Sequence, residues 1–154
     1  MNIIFILGRI LFVVVFILSG VRKLMDISGT AAFIGSKVMV PEMFVSSVSQ
    51  LESATGMTLP TMLAILTAVV EIGASLLVAA NFGARFGAVL LILFTAAATY
   101  YVHPFWTMAD AEREANMINA LKNLSLIGGL LVFFVLGPWR PLPADSYDEP
   151  SPRI

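Results

Sequence analysis

The chain contains no cysteine. That removes disulfides, CxxC redox motifs, thiolate nucleophiles and cysteine-held iron–sulfur clusters from its own chemistry. Histidine is nearly as scarce, with His103 the single example. Bis-histidine haem ligation within the chain is therefore impossible, and a zinc site lacks the imidazoles and thiolates to build it, so no metal centre is expected. Charge is thin as well: 12% of the 154 residues are charged and the net charge is −1. A soluble domain carries about a quarter charged residues, so there are too few here to coat a water-facing surface. Nothing basic enough to point to a nucleic-acid partner is present.

What is present is apolar: 58% of residues are hydrophobic and mean hydropathy is +0.91. The apolar residues gather into four spans, "IIFILGRILFVVVFILSGV" (3 to 21), "LPTMLAILTAVVEIGASLLVAA" (59 to 80), "ARFGAVLLILFTAAATYYV" (84 to 102) and "LKNLSLIGGLLVFFVLG" (121 to 137). Each is near the roughly 20 residues that cross about 30 Å of hydrocarbon, the last once the segment before it is helical. In lipid the backbone must bond to itself, so the spans are helices. The first lacks a basic n-region and is followed by "RKLMD" rather than a small-residue cleavage site, which reads as a retained helix and not a signal peptide.

The expectation is an all-α integral membrane four-helix bundle over residues 1 to 137, followed by a polar, proline-rich C-terminal tail over 138 to 154. "NFG", residues 81 to 83, makes the second and third spans an antiparallel hairpin. Residues 22 to 58 form a long connection, in which Pro41 starts a short helix with Phe44, Val45, Val48 and Leu51 on one face. That pattern fits a helix lying in the membrane interface, or one packed over the mouth of the bundle. Positive charge is nearly balanced between the two sides, with Arg9, Arg85, Arg140 and Arg153 on the side of the termini and Arg22, Lys23, Lys37, Arg113 and Lys122 opposite. Arg85 and Arg140 at the span ends favour a cytoplasmic position for both termini.

Polar residues inside the spans are where function is expected. Arg9 in the first span and Glu71 in the second differ in depth by roughly 4 to 5 Å at about 1.5 Å per residue. Neither should face lipid, so the two are expected to meet inside the bundle. Such a pair either fixes helix order or makes Glu71 a proton-exchanging carboxylate or a polar anchor for a bound ligand. In the fourth helix, "TMAD" places Thr107 at an N-cap with Asp110 three residues on, predicting a start near residue 108. Glu112, Asn116, Asn119 and Asn123 then share one stripe, beside Lys122. His103, followed by Pro104 and near Trp106, belongs to the same membrane side. It either lines a polar vestibule with Trp106, Asn119 and Asn123, or is a rim residue among interfacial aromatics such as Tyr101. Histidine exchanges protons near neutral pH, which gives the first alternative its interest.

"GRILFVVVFILSGVRKLMD", "VVEIGASLLVAANFGARFGAVLL", "HPFW" and "LKNLSLIGGLL" together resemble the DoxX family of small four-helix membrane proteins. The family pattern falls on Arg9, Gly20, Lys23, Leu24, Glu71, Gly73, Arg85, His103, Phe105, Trp106, Lys122, Asn123, Gly128 and Gly129. The stretch "SVSQLESATGMT" departs from it by its length. The resemblance implies a bacterial inner-membrane subunit of a quinone-linked or thiol-redox membrane complex, with other membrane subunits as partners and quinone as the ligand. The cysteine-dependent disulfide chemistry of more remote relatives does not carry over. The alternative is a non-catalytic assembly or stability subunit working through small-residue faces. Whether the chain is itself an enzyme is left open by these residues. Arg9, Glu71, His103, Trp106, Asn116, Asn119, Lys122 and Asn123 are the candidates for ligand binding or proton exchange.

Overall fold

The computed structural model describes residues 3–137; the tail expected over 138 to 154 lies outside them. The described chain runs α1 (Ile3–Met25), α2 (Ile27–Lys37), α3 (Glu42–Thr55), α4 (Leu59–Ala80), α5 (Ala84–Val102), a 3₁₀ turn (Phe105–Thr107) and α6 (Asp110–Leu136). Four of these helices, α1, α4, α5 and α6, are long and apolar enough to cross a membrane. Their outer faces carry exposed Leu11, Leu18, Leu66, Val69, Leu76, Leu93, Leu124 and Val135. A helix that turns its large apolar residues outward and its small ones inward is built for lipid.

Helix α1 packs along α4, α4 along α5, and α5 along α6. The inward stripe of α4 is Ala64, Ala68, Glu71, Ser75 and Val78, and that of α5 is Ala84, Ala88, Leu91 and Thr95. Both follow the spacing of one helical face. Gly87 of α5 lets the backbones close up, since a Cβ there would lie 2.6 Å from the Ala74 carbonyl oxygen of α4. The ring of helices closes between α6 and α1 through aromatic side chains: Phe133 stands edge-on to Phe12 at 5.0 Å and to Phe5 at 6.3 Å.

The α4–α5 hairpin forms as expected. Asn81 (φ 56°) and Gly83 (φ 60°) both adopt the left-handed conformation, which asparagine and glycine tolerate best. Two other expectations are corrected. The long connection holds two helices, because Asp26 ends α1 and caps α2 by accepting the Gly29 N–H at 2.8 Å. Ile27, Ala31, Ile34 and Val38 then give α2 a buried or half-buried edge that packs against α4. Small residues dilute that edge, which hides it in a hydropathy reading. Helix α6 starts two residues later than expected. The Thr107 hydroxyl donates to the Pro104 carbonyl at 2.9 Å, closing the 3₁₀ turn, and Met108 is extended, so Ala109 holds the N-cap position.

The amphipathic helix expected after Pro41 is α3, with Met43, Phe44, Val45 and Leu51 exposed and no fully buried residue. It is tied to the bundle where Glu52 accepts the Leu59 N–H at 2.7 Å, satisfying a free donor at the start of α4.

Candidate functional site

Side chains on a helix lean toward its N-terminus. In the antiparallel pair α1–α4, Gly20 lies against Ala68 and Ile72, which sets Glu71 level with the second half of α1 and leaves Arg9 level with the end of α4. Arg9 leans toward the start of α1, where its Nε donates to the Val78 carbonyl and an Nη to the Ala79 carbonyl, each at 2.9 Å. Its guanidinium also lies 5.4 Å from the Phe5 ring centroid. Glu71 leans toward the start of α4, at the opposite membrane side, and meets Lys23. Arg9 and Glu71 are both 1% exposed, so neither faces lipid, but the expected bond between them is not formed. Arg9 instead serves carbonyls freed at the C-terminal end of α4, where a positive charge also complements the helix dipole. Arg85 does the same for α6, donating to Val135 and Gly137 carbonyls.

The ion pair of the bundle interior, among the described residues, is Lys23–Glu71. Lys23 also donates to Ser19 Oγ at 3.0 Å, and its ammonium stands 4.9 Å from the Phe94 ring centroid of α5. This is the arrangement the sequence reading missed. Its signal was the serine four residues before the lysine, one turn back on the same face, which gives the ammonium a polar stop inside the bilayer.

A second polar group joins α5 to α6. The Asn116 amide donates to the Glu112 carbonyl at 3.0 Å, which leaves its Oδ1 facing the His103 ring at 2.9 Å from Nδ1. With Oδ1 as the acceptor, Nδ1 is the donor of this bond. Asn123 donates to Thr99 Oγ at 2.9 Å, and Thr99 and Thr95 each return their hydroxyl proton to the carbonyl one turn back, at 2.7 and 2.6 Å. The expected asparagine stripe is thus drawn onto Thr99 and His103. Asn119 is half-buried between its two bonded neighbours on that stripe, whereas Lys122 is exposed.

Trp106 is 52% exposed, with its ring 5.8 Å from Tyr100 and 5.2 Å from Phe105. It borders a groove of about 290 Å³ between α5 and α6, lined by Ala96, Thr99, Tyr100, Trp106, Ala120, Leu124 and Ile127. The lining is mostly apolar and includes two aromatic rings, and the Thr99 hydroxyl, to which Asn123 donates, is among its polar groups.

The model of the DoxX family matches residues 4–104 of the chain. The chain is also similar to "Inner membrane protein YphA" of Escherichia coli (strain K12), with 30% identity over 132 residues, covering 86% of this chain and 81% of that protein. No solved structure matches it significantly.

Proposed function

The chain belongs to the DoxX family of integral membrane proteins, and from that premise we propose that it is the quinone-docking subunit of a redox complex in the bacterial inner membrane, with both termini in the cytoplasm. The groove between α5 and α6 carries this reading. It lies on the outer surface of two membrane-spanning helices, where a quinone dissolved in the bilayer arrives without crossing water. Its aromatic pair, Tyr100 and Trp106, suits a flat ring. The Trp106 indole N–H and the Tyr100 hydroxyl are donors that its lining residues can offer to the ring's carbonyl oxygens. A bound quinone supplies two-electron, two-proton chemistry. The electron carrier, or the thiols if the complex is thiol-linked, belongs to a partner chain, because this chain has no cysteine.

A photoreactive quinone analogue, applied to the chain in lipid nanodiscs and mapped by mass spectrometry, tests the reading. Adducts concentrated in residues 96 to 106 and 120 to 127, and reduced in a Thr99→Val, Trp106→Ala variant, are the expected result. Adducts spread over all four spans, or unaffected by the variant, refute it.

The alternative, an assembly subunit, is favoured by a separate observation. A Cβ at Gly8, Gly73 or Gly128 would meet nothing within 4 Å, so these positions leave shallow notches on outer faces where a helix of another subunit can approach closely. Loss of a co-purifying complex when the chain is deleted, with full activity in the groove variant, distinguishes this reading from the first.

A further inference from the structure

A lysine near the end of a membrane helix ordinarily extends its ammonium toward the headgroups. Lys23, in the last turn of α1, turns the other way, back along its helix to Ser19 and across to Glu71. Its side chain is 22% exposed and that of Glu71 is 1% exposed, so the cation is the open half of the pair. One turn beyond Glu71, on the same face, the Ser75 hydroxyl is fully buried and has no hydrogen-bond partner. By the same lean toward the N-terminus, it lies over the turn that carries Glu71. An unpartnered hydroxyl inside a bilayer is unfavourable by a margin that proteins seldom leave uncompensated, and this one stands one helical turn from the residue whose carboxylate pairs with Lys23.

We propose that Glu71 is a proton-exchange site, with Lys23 as its removable counter-ion and Ser75 as the hydroxyl that receives the neutral carboxyl. A proton from hydronium on the side opposite the termini adds to a Glu71 carboxylate oxygen, forming an O–H bond and releasing water. Lys23 keeps its own proton and carries its ammonium out to the interface, while the new O–H donates to Ser75 Oγ. The site passes from neutral to one positive charge held at the membrane surface, and the reverse step returns the proton. No electron moves. The site is separate from the α5–α6 groove, and its failure leaves the quinone reading untouched.

The elements packed against α4 are α1, α2, α3 and α5. From α1, Lys23 is bonded to Glu71, and Arg9 is bonded at the far end of α4. Helix α2 carries exposed Lys37, and α3 carries exposed Glu42 together with Glu52, bonded to Leu59. Helix α5 carries Arg85, bonded to the end of α6, and exposed Tyr100 and Tyr101. Among the described residues, Lys23 is the charged group in contact with Glu71.

An apolar carbodiimide partitions into the bilayer and adds to protonated carboxyls, leaving a stable acylurea. The full chain in nanodiscs is labelled with it over a range of pH, and the adduct on Glu71 is quantified by peptide mass spectrometry, with Glu71→Gln as the blank. Labelling of the natural chain should rise on acidification by up to about tenfold per pH unit, as the protonated fraction does. In Lys23→Met the profile should differ from that of the natural chain, because the carboxyl no longer pairs with an ammonium. A pH-independent, unlabelled Glu71 in the natural chain shows a static ion pair and overturns the proposal. A Lys23→Met profile identical to that of the natural chain overturns it as well. If Lys23→Met fails to fold, the natural chain alone decides.

Discussion

Two glycine-to-alanine substitutions on facing helices should have different outcomes, and the difference can be worked from the packing. At Gly87 an added Cβ would lie 2.6 Å from the Ala74 carbonyl oxygen, 3.0 Å from Leu77 Cβ and 3.2 Å from Val78 Cγ2. A relaxed carbon–oxygen contact needs about 3.3 to 3.6 Å, so α4 and α5 must separate by roughly 0.7 to 1 Å. The first of these neighbours is backbone and cannot rotate aside. A gap of that size forfeits about a quarter to a half of each dispersion well along the seam, where Ala74, Val78, Ala88 and Leu91 form the core. Overpacking of this kind costs about 1 to 3 kcal/mol. At Gly73 an added Cβ meets nothing within 4 Å, so only the helix-propensity gain of up to about 1 kcal/mol applies. That gain is common to both sites and cancels in the comparison. Gly87→Ala should therefore be about 1 to 3 kcal/mol less stable than Gly73→Ala. The assay is titration of a denaturing detergent into the chain held in a mild one, followed by tertiary fluorescence. Equal midpoints for the two variants would refute the packing argument.

Arg9→Met removes two charge-assisted bonds to the end of α4, each worth about 1.5 to 3 kcal/mol; the same detergent titration should show a clear loss that Arg9→Lys only partly restores. Lys23→Met and Glu71→Leu should each lower stability, and the double variant by less than their sum, because both remove the same interaction; additive losses in a double-mutant cycle would contradict the ion pair. Thr99→Val and Asn123→Leu should each cost about 0.6 kcal/mol, and together little more than either, because both remove one interhelical bond. His103→Phe keeps a ring and loses the Asn116 bond, so amide hydrogen exchange should quicken over residues 110 to 116 while the rest of α6 is unchanged.

Much of this molecule is legible along one dimension. Counting apolar residues places α4 and α5 at the bounds the structure shows, because hydrocarbon thickness fixes the length of a spanning helix. The turn at Asn81 to Gly83 follows from residue types that tolerate a left-handed backbone. The burial of Arg9 and Glu71 follows from the free energy of a charge in lipid, whatever their partners. Helix α2 escaped notice because Ser28, Gly29, Thr30, Gly35 and Ser36 surround its apolar edge, and Thr107 failed as a cap because the 3₁₀ turn ends on it and Met108 after it is extended.

Partnership is what the tertiary structure alone decided. Depth in the membrane is a count along the chain, but a side chain also has an azimuth around its helix and a lean along it. Counting along each span puts Arg9 and Glu71 within reach of one another, but the register of α1 against α4, with Gly20 on Ala68 and Ile72, holds them apart. That brings Lys23 to Glu71 and Arg9 to the carbonyls of Val78 and Ala79. The asparagine stripe could be drawn on a helical wheel, yet its acceptors, Thr99 and His103, were set by the rotation of α6 against α5. A sequence specifies which groups must be satisfied inside lipid; only the packed bundle fixes which neighbour satisfies each, because that choice depends on distances between helices that no single helix contains.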